Sequence, residues 1–126
     1  MRSFALVAVG GAAGTLARHG IAEALDPDQL FPWATFLVNV TGSFALGALL
    51  AVLLVCDHSA PANRLRLLLG TGFLGGYTTY SALAVETDTM LRDDHLALGL
   101  MYATGSVVAG LVAAFAGVAA ARTVVR

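Results

Sequence analysis

Polar side chains that interrupt long apolar stretches are the residues of this sequence that could do chemistry. Arg18 lies in the apolar stretch near the start of the chain, and Asn39 lies within residues 29–56, which contain no charged residue. Two later apolar stretches carry hydroxyl groups, at Thr71, Thr78, Thr79, Tyr80, Ser81, Tyr102, Thr104 and Ser106. Amides, hydroxyls and a guanidinium all donate hydrogen bonds. This donor-rich set suits a small anion, which must exchange its water shell for such groups when it leaves bulk water.

Carboxylates, nucleophiles and metal ligands are scarce by comparison. Glu23 and Glu86 are the only carboxylates near the predicted membrane depth, and both lie close to helix ends. A proton-coupled exporter usually needs a carboxylate deep among its helices, where it can exchange a proton for a cation. The single cysteine, Cys56, excludes an internal disulfide, and the three histidines lack zinc-ligand spacing. No nucleophile–base pair stands out, so the sequence does not indicate an enzyme.

The composition indicates a membrane protein. Of the 126 residues, 58% are hydrophobic and 12% are charged, whereas soluble domains carry about 45–50% apolar and about 25% charged residues. The net charge of −1 leaves no basic surface for a polyanion, which excludes a nucleic-acid partner. The environment that this composition predicts is a lipid bilayer.

The gaps between charged residues predict an all-α membrane protein with four transmembrane helices. No charged residue occurs in residues 29–56, 67–85 or 96–121, and a helix needs roughly 20 apolar residues to cross a bilayer. With the apolar stretch at the start of the chain, these gaps place the helices at about 3–24, 32–56, 65–87 and 95–121. Only short connections remain, so residues 1–126 form a single four-helix transmembrane domain.

The arginines predict the orientation of the chain in the membrane. Arg92 lies on one side of the predicted bundle, and most other arginines lie on the opposite side, at Arg2, Arg64, Arg66, Arg122 and Arg126. Because positively charged residues accumulate on the cytoplasmic side, both termini are expected in the cytoplasm.

Small residues four positions apart predict close helix packing. The pairs are Gly10 with Gly14, Ser43 with Gly47, Gly72 with Gly76, Ser106 with Gly110, and Ala113 with Gly117. Such pairs let membrane helices approach closely. Packing within one bundle explains most of them, but four helices alone have little room for a pore, so a dimer is expected.

The third predicted helix is expected to break near its middle. Gly75 and Gly76 are separated from Thr78 and Thr79 by Tyr77 alone, and glycines beside β-branched residues are poor helix formers. Unwound backbone at membrane depth is tolerated where it is buried in protein or faces water. Its free carbonyls bind Na⁺ in several transporters. The alternative is a kinked helix without an ion.

Structural roles remain alternatives for the polar side chains as well. A Ser or Thr in a membrane helix commonly donates to the backbone carbonyl one turn earlier. Arg18 can extend its guanidinium to the membrane interface. Asn39 is harder to explain by packing alone, because its amide is costly to bury.

Three linked motifs resemble those of the CrcB/Fluc fluoride channels. GGAAG at residues 10–14, followed by Arg18, resembles the family's helix 1 motif, and FLVNVTGSF at residues 36–44 resembles its helix 2 motif. GFLGGYTTYS at residues 72–81, followed by Glu86, resembles the helix 3 motif. The match covers essentially the whole chain, in the same order and spacing.

This resemblance implies a fluoride-selective channel that passively exports fluoride from the cytoplasm as a means of detoxification. The family forms antiparallel dimers of two four-helix subunits with two narrow pores, in the plasma (inner) membrane of prokaryotes. A structural, untransported Na⁺ lies at the dimer interface, and its carbonyl ligands here would be those of Gly75 and Thr78. Asn39 would be the pore-facing amide that donates to fluoride.

The resemblance also assigns the remaining site residues. Arg18 falls at the family's helix 1 arginine and Glu86 at its helix 3 glutamate, and Thr79 belongs to the helix 3 motif. Tyr102 and Ser106 fall where the family has hydroxyls beside the pore. One turn further, Gly110 offers no hydroxyl, so this track is shortened.

Two departures from the family pattern stand out. The family has two phenylalanines whose ring edges face the anion, and this chain has Tyr80 and Leu83 at those positions. The arginine bias is strong, whereas an antiparallel homodimer requires insertion in both orientations. Both departures favour a heterodimer with an oppositely oriented homologue, and a homodimer is the alternative. Other function classes are a small four-helix multidrug exporter and a non-conducting membrane scaffold.

Overall fold

The computed structural model describes residues 2–25, 29–55 and 59–124, and every regular element in these ranges is a helix. Helices α1 (Arg2–Ala24), α2 (Trp33–Val55) and α6 (Leu96–Val124) are the long ones. The segments long and apolar enough to cross a membrane are Ser3–Ala24, Trp33–Leu54 and Leu96–Thr123. Cys56 and Arg126, which entered the sequence-based predictions, lie outside the described residues.

The segment between α2 and α6 is a bent series of shorter helices. They are α3 (Ala60–Leu65), a π-helix (Arg66–Leu74), the single turn α4 (Gly75–Tyr77) and α5 (Tyr80–Arg92). Between α4 and α5 the backbone is extended, with ψ of 158° at Thr78 and 120° at Thr79. The predicted break in the middle of this region is therefore present, and the π-helix in front of it was not expected from the sequence.

Side-chain capping explains where two of these shorter helices begin. Ser59 precedes α3 and its hydroxyl accepts a hydrogen bond from Ala62 N, while Pro61 occupies the first turn. Thr79 precedes α5, and its Oγ1 accepts from Ala82 N at 3.1 Å. Thr79 thus both ends the extended stretch and starts the next helix.

Glycines bring α1 against the π-helix and α4. A Cβ on Gly10 would overlap the carbonyl oxygen of Leu68, and a Cβ on Gly14 would overlap the carbonyl oxygen of Phe73. The two backbones therefore touch directly, which is the contact that pairs of small residues allow in membranes.

A second glycine contact joins α2 to α6. A Cβ on Gly47 would overlap the carbonyl oxygen of Ala114, and a Cβ on Gly117 would overlap that of Phe44. These contacts fix the spacing of the two helices along the stretch that ends beside Ser43 and Gly110. Most of the predicted small-residue pairs thus serve packing within one subunit.

Candidate functional site

The extended break is held by a side chain from another helix. Asn39 on α2 donates from Nδ2 to Thr79 O at 2.9 Å, and Thr79 N donates to Asn39 Oδ1 at 2.8 Å. One amide therefore satisfies both backbone groups of the residue at which the helix is interrupted. A carboxamide carries two N–H donors, so the second N–H of Asn39 remains for another acceptor.

The break also releases two carbonyl oxygens from their helical donors. In a continuous helix, Gly75 O would accept from Thr79 N, but that group donates to Asn39. Likewise, Thr78 O would accept from Ala82 N, which donates to the Thr79 hydroxyl. Unpaired carbonyl oxygens at a helix break are suitable ligands for a hard cation such as Na⁺. The residues expected to hold Na⁺ therefore have the donor chemistry that this ion requires.

A cavity of about 540 Å³ lies between α2, the broken region and α6. Its polar lining consists of Asn39, Ser43, Thr78, Thr79, Tyr80 and Ser106. None of the described residues that line it is acidic. We refer to it as the first cavity.

Ser106 is the most unusual polar residue of the first cavity. It is only 4% exposed, and its hydroxyl has no hydrogen-bond partner among the described residues. By contrast, Thr104 donates to Leu100 O at 2.6 Å, as expected for a helix hydroxyl bonded to its own backbone. A buried, unpaired hydroxyl is destabilising by about 1–3 kcal/mol. Its place on the cavity wall leaves this hydroxyl available to water or to an ion that enters the cavity.

Tyr80 and Leu83 both line the first cavity but differ in exposure. The first residue of α5, Tyr80, is 80% exposed, so its ring points away from this subunit. Leu83 is 8% exposed and packs with Met90 and Tyr102 in the small hydrophobic core. The two positions therefore do not present equivalent surfaces to the cavity.

Glu86 is the centre of a hydrogen-bonded group in the middle of α5. Thr35 Oγ1 donates to Glu86 Oε1 at 2.7 Å, and the Tyr102 hydroxyl donates to Glu86 Oε2 at 2.6 Å. Tyr102 is 1% exposed and contacts the Phe31 ring edge-on, with centroids 5.3 Å apart. Tyr102 therefore binds Glu86 and does not line the first cavity with Ser106.

A second cavity of about 600 Å³ lies between α1, α2 and α5. Its polar and charged lining consists of Thr15, Arg18, His19, Thr35, Thr79, Ser81 and Glu86. Within the described ranges, Arg18 makes no ion pair with a carboxylate. The ion pair found in those ranges joins Arg92 to Asp88. This cavity thus combines a cationic side chain, a carboxylate and hydroxyl groups.

The structure divides the residues expected from the sequence between the two cavities. Asn39, Gly75, Thr78, Thr79, Tyr80, Leu83 and Ser106 meet at the first cavity, and Arg18 and Glu86 meet at the second. Thr79 lines both. Sequence reasoning missed Thr35, and it noted Ser43 as a polar membrane residue and a packing residue without assigning it to the site. Both lie four residues from Asn39, and that spacing on one helix face is the signal that could have found them.

Comparisons with known proteins agree on one family. The family described as "CrcB-like protein, Camphor Resistance (CrcB)" matches residues 5–118. A relative from Novosphingobium aromaticivorans named "Fluoride-specific ion channel FluC" is 41% identical, over 98% of this chain and 99% of its own. Relatives with the same name from Hyphomonas neptunium and Thermus thermophilus are 43% and 42% identical, over 98% and 93% of this chain and the same shares of their own.

Proposed function

Since the chain belongs to the CrcB family of membrane proteins, we propose that it is a fluoride-specific ion channel through which fluoride leaves the cytoplasm passively. The observation that carries this proposal is the unpaired, buried hydroxyl of Ser106 on the wall of the first cavity. Fluoride is a small anion that accepts hydrogen bonds strongly. It is the kind of species that such a hydroxyl can bind.

The first cavity offers fluoride neutral donors in place of water. The second N–H of Asn39 and the Ser106 hydroxyl are the candidate donors, because neither is used by another described residue. Neutral donors let an anion bind and leave again, which conduction requires. A cation would find no counter-charge among the described residues that line this cavity.

A role for Arg18 follows from its place in the second cavity. A cationic side chain within a low-dielectric wall raises the local concentration of anions. Arg18 would therefore attract fluoride towards a pore entrance. Glu86 is a positioning residue in this scheme, since both of its carboxylate oxygens accept hydrogen bonds from Thr35 and Tyr102.

The geometry disfavours the multidrug-exporter alternative. Such an exporter needs a deep carboxylate that can exchange its proton for a cation. Glu23 is exposed near the end of α1, and Glu86 is engaged by two hydroxyl groups. Neither lines the first cavity. A scaffold role leaves the unpaired Ser106 hydroxyl unexplained.

The conducting form is proposed to be an antiparallel dimer in which each subunit crosses the membrane four times. The exposure of Tyr80 at 80% supports it, because this ring borders the cavity yet has no cover within the subunit. A Cβ on Gly75 or Gly105 would meet nothing within 4 Å, so both glycines border open space. A second subunit would close the first cavity on this side.

The partner is proposed to be an oppositely oriented homologue or a second copy of this chain. Arg64, Arg66 and Arg122 favour a fixed orientation, with both termini in the cytoplasm and the bundle in the plasma membrane. In a heterodimer, the partner would supply the aromatic ring that Leu83 lacks. In a homodimer, Tyr80 would be the ring available to each pore.

Na⁺ is proposed as a structural ion at the interface of the two subunits. Gly75 and Thr78 would hold it through the carbonyl oxygens that the break releases. The ion would supply a fixed positive charge beside the first cavity and join the subunits. Asn39 keeps Gly75 O free by accepting from Thr79 N, and the Thr79 hydroxyl keeps Thr78 O free by accepting from Ala82 N.

Fluoride efflux from liposomes that contain only this chain tests the proposed function. Efflux into a fluoride-free Na⁺ buffer is read with a fluoride-selective electrode, and empty liposomes are the control. Efflux above that control is the expected result and would also establish a homodimer as sufficient. No efflux from folded protein would require the same assay with a co-expressed homologue, and a second negative result would refute the channel.

A further inference from the structure

A hydroxyl from α2 fills a gap that α6 leaves in the wall of the first cavity. Ser106 and Gly110 lie one turn apart on α6, and both line the cavity. Gly110 has no side chain, and a Cβ placed there would lie 3.3 Å from Ser43 Oγ and 4.0 Å from Ser43 Cβ. The Ser43 hydroxyl therefore occupies the space that a side chain at residue 110 would take.

We propose that Ser43 is a further fluoride-binding position in the first cavity, next to Gly110 and one turn beyond Asn39. The assignment rests on the proposed function. Ser43 lines the cavity together with Asn39 and Ser106. Its hydroxyl is a neutral donor of the same kind as that of Ser106.

The helix geometry places Ser43 further along the first cavity than Asn39 and Ser106. Asn39 and Ser43 are four residues apart on α2, which places them about 6 Å apart along the helix. Ser106 and Gly110 have the same spacing on α6. Because α2 and α6 run in the same direction, Ser43 extends the donors of both helices towards the predicted cytoplasmic side. An anion that leaves Asn39 or Ser106 would next meet Ser43.

A packing role is the competing explanation, because a small residue is needed beside Gly110. The two roles differ in what Ser43→Ala does. Alanine keeps the small volume and removes only the hydroxyl. A packing role therefore predicts unchanged fluoride flux, whereas a binding role predicts reduced flux.

The test moves the hydroxyl from one helix to the other. Full-length protein is reconstituted as wild type, Ser43→Ala, and the double variant Ser43→Ala with Gly110→Ser. We expect Ser43→Ala to lower fluoride flux about tenfold, since one hydrogen bond to the ion is lost. The double variant should recover most of the flux, because a hydroxyl returns to the same space from α6. Thr104→Val is the matched control, since that hydroxyl donates to its own helix, and its flux should equal wild type.

Gly110→Ala provides a second variant that leaves Ser43 in place. Its methyl group would press on Ser43 Oγ at 3.3 Å, so flux should fall in the wild-type background and not fall further in Ser43→Ala. Wild-type flux in Ser43→Ala would overturn the assignment. A double variant that folds but does not recover fluoride flux would overturn it as well. A wild-type protein without flux, alone and with a homologue, refutes the proposed function itself. Loss confined to the Ser43 variants leaves that function intact.

Discussion

Asn39 and Thr79 exchange two hydrogen bonds, of 2.9 and 2.8 Å, at the extended backbone between α4 and α5. The Asn39 amide thereby replaces the helical partners that the extended backbone of Thr79 cannot have. The same amide belongs to a residue that lines the first cavity, and it retains one N–H that no described residue accepts. Structural support and an unused hydrogen-bond donor are thus combined in one side chain.

Asn39→Asp should abolish the measurable fluoride flux. The carboxylate still accepts from Thr79 N, but it cannot donate to Thr79 O or to an anion, and its charge repels fluoride. The loss of two hydrogen-bond donors, at about 1.4 kcal/mol each, corresponds to a fall in fluoride flux of about a hundredfold. Liposome efflux measures this effect, and Asn63→Asp, in exposed α3, is the matched control. Flux unchanged in Asn39→Asp would remove this residue from the pathway.

Ser106→Ala should separate conduction from stability. Fluoride flux should fall about tenfold, because the donor is lost. The thermal midpoint should stay the same or rise slightly, since the hydroxyl has no protein partner to lose. Both quantities are measured on the same purified protein, with Thr104→Val for comparison. A clear fall in the midpoint would mean that the hydroxyl is paired within the protein and would contradict our interpretation of the site.

Thr35→Val and Tyr102→Phe should each destabilise the protein by about 1–3 kcal/mol, because each leaves one oxygen of Glu86 without its donor. When the two substitutions are combined, their losses in the free energy of unfolding should not add, since both act on one carboxylate. Unfolding of the single and double variants in detergent measures the coupling. Strict additivity would show that the two hydroxyls do not share Glu86. Thr89→Val serves as the control, because the Thr89 hydroxyl donates to Val85 O in its own helix.

Removal of Na⁺ should lower the thermal midpoint by several degrees. A ligand that binds only the folded state stabilises by about 2.7 kcal/mol at a hundredfold excess over its Kd. Purified protein is melted in Na⁺ and in N-methylglucamine buffers of equal ionic strength. Asn39→Ala should lose this dependence, because Thr79 N is then free to pair with Gly75 O. Identical melting of the wild-type protein in both buffers would contradict the sodium proposal.

The sequence predicted the break in the helix, but it did not predict the hydrogen bonds from another helix that hold the break. The glycine pair before Thr78 and Thr79 is a local signal, and the structure has extended backbone at those threonines. The hydrogen bonds between Asn39 and Thr79 join residues 40 positions apart, so they depend on how α2 packs. Spacing on α6 grouped Tyr102 with Ser106, but the Tyr102 hydroxyl reaches Glu86 instead. Helix periodicity places a residue on a face, whereas a long side chain can reach a partner beyond that face.

The two cavities share Thr79 as a wall, and their separation there is one residue thick. Charge acts strongly across a thin layer of low dielectric constant. The guanidinium of Arg18 can thus make the electrical potential of the first cavity more positive from across this wall, and the Glu86 carboxylate in the same cavity as Arg18 acts in the opposite direction. A charge in one cavity therefore influences the electrical potential of the other without an ion having to cross the wall between them.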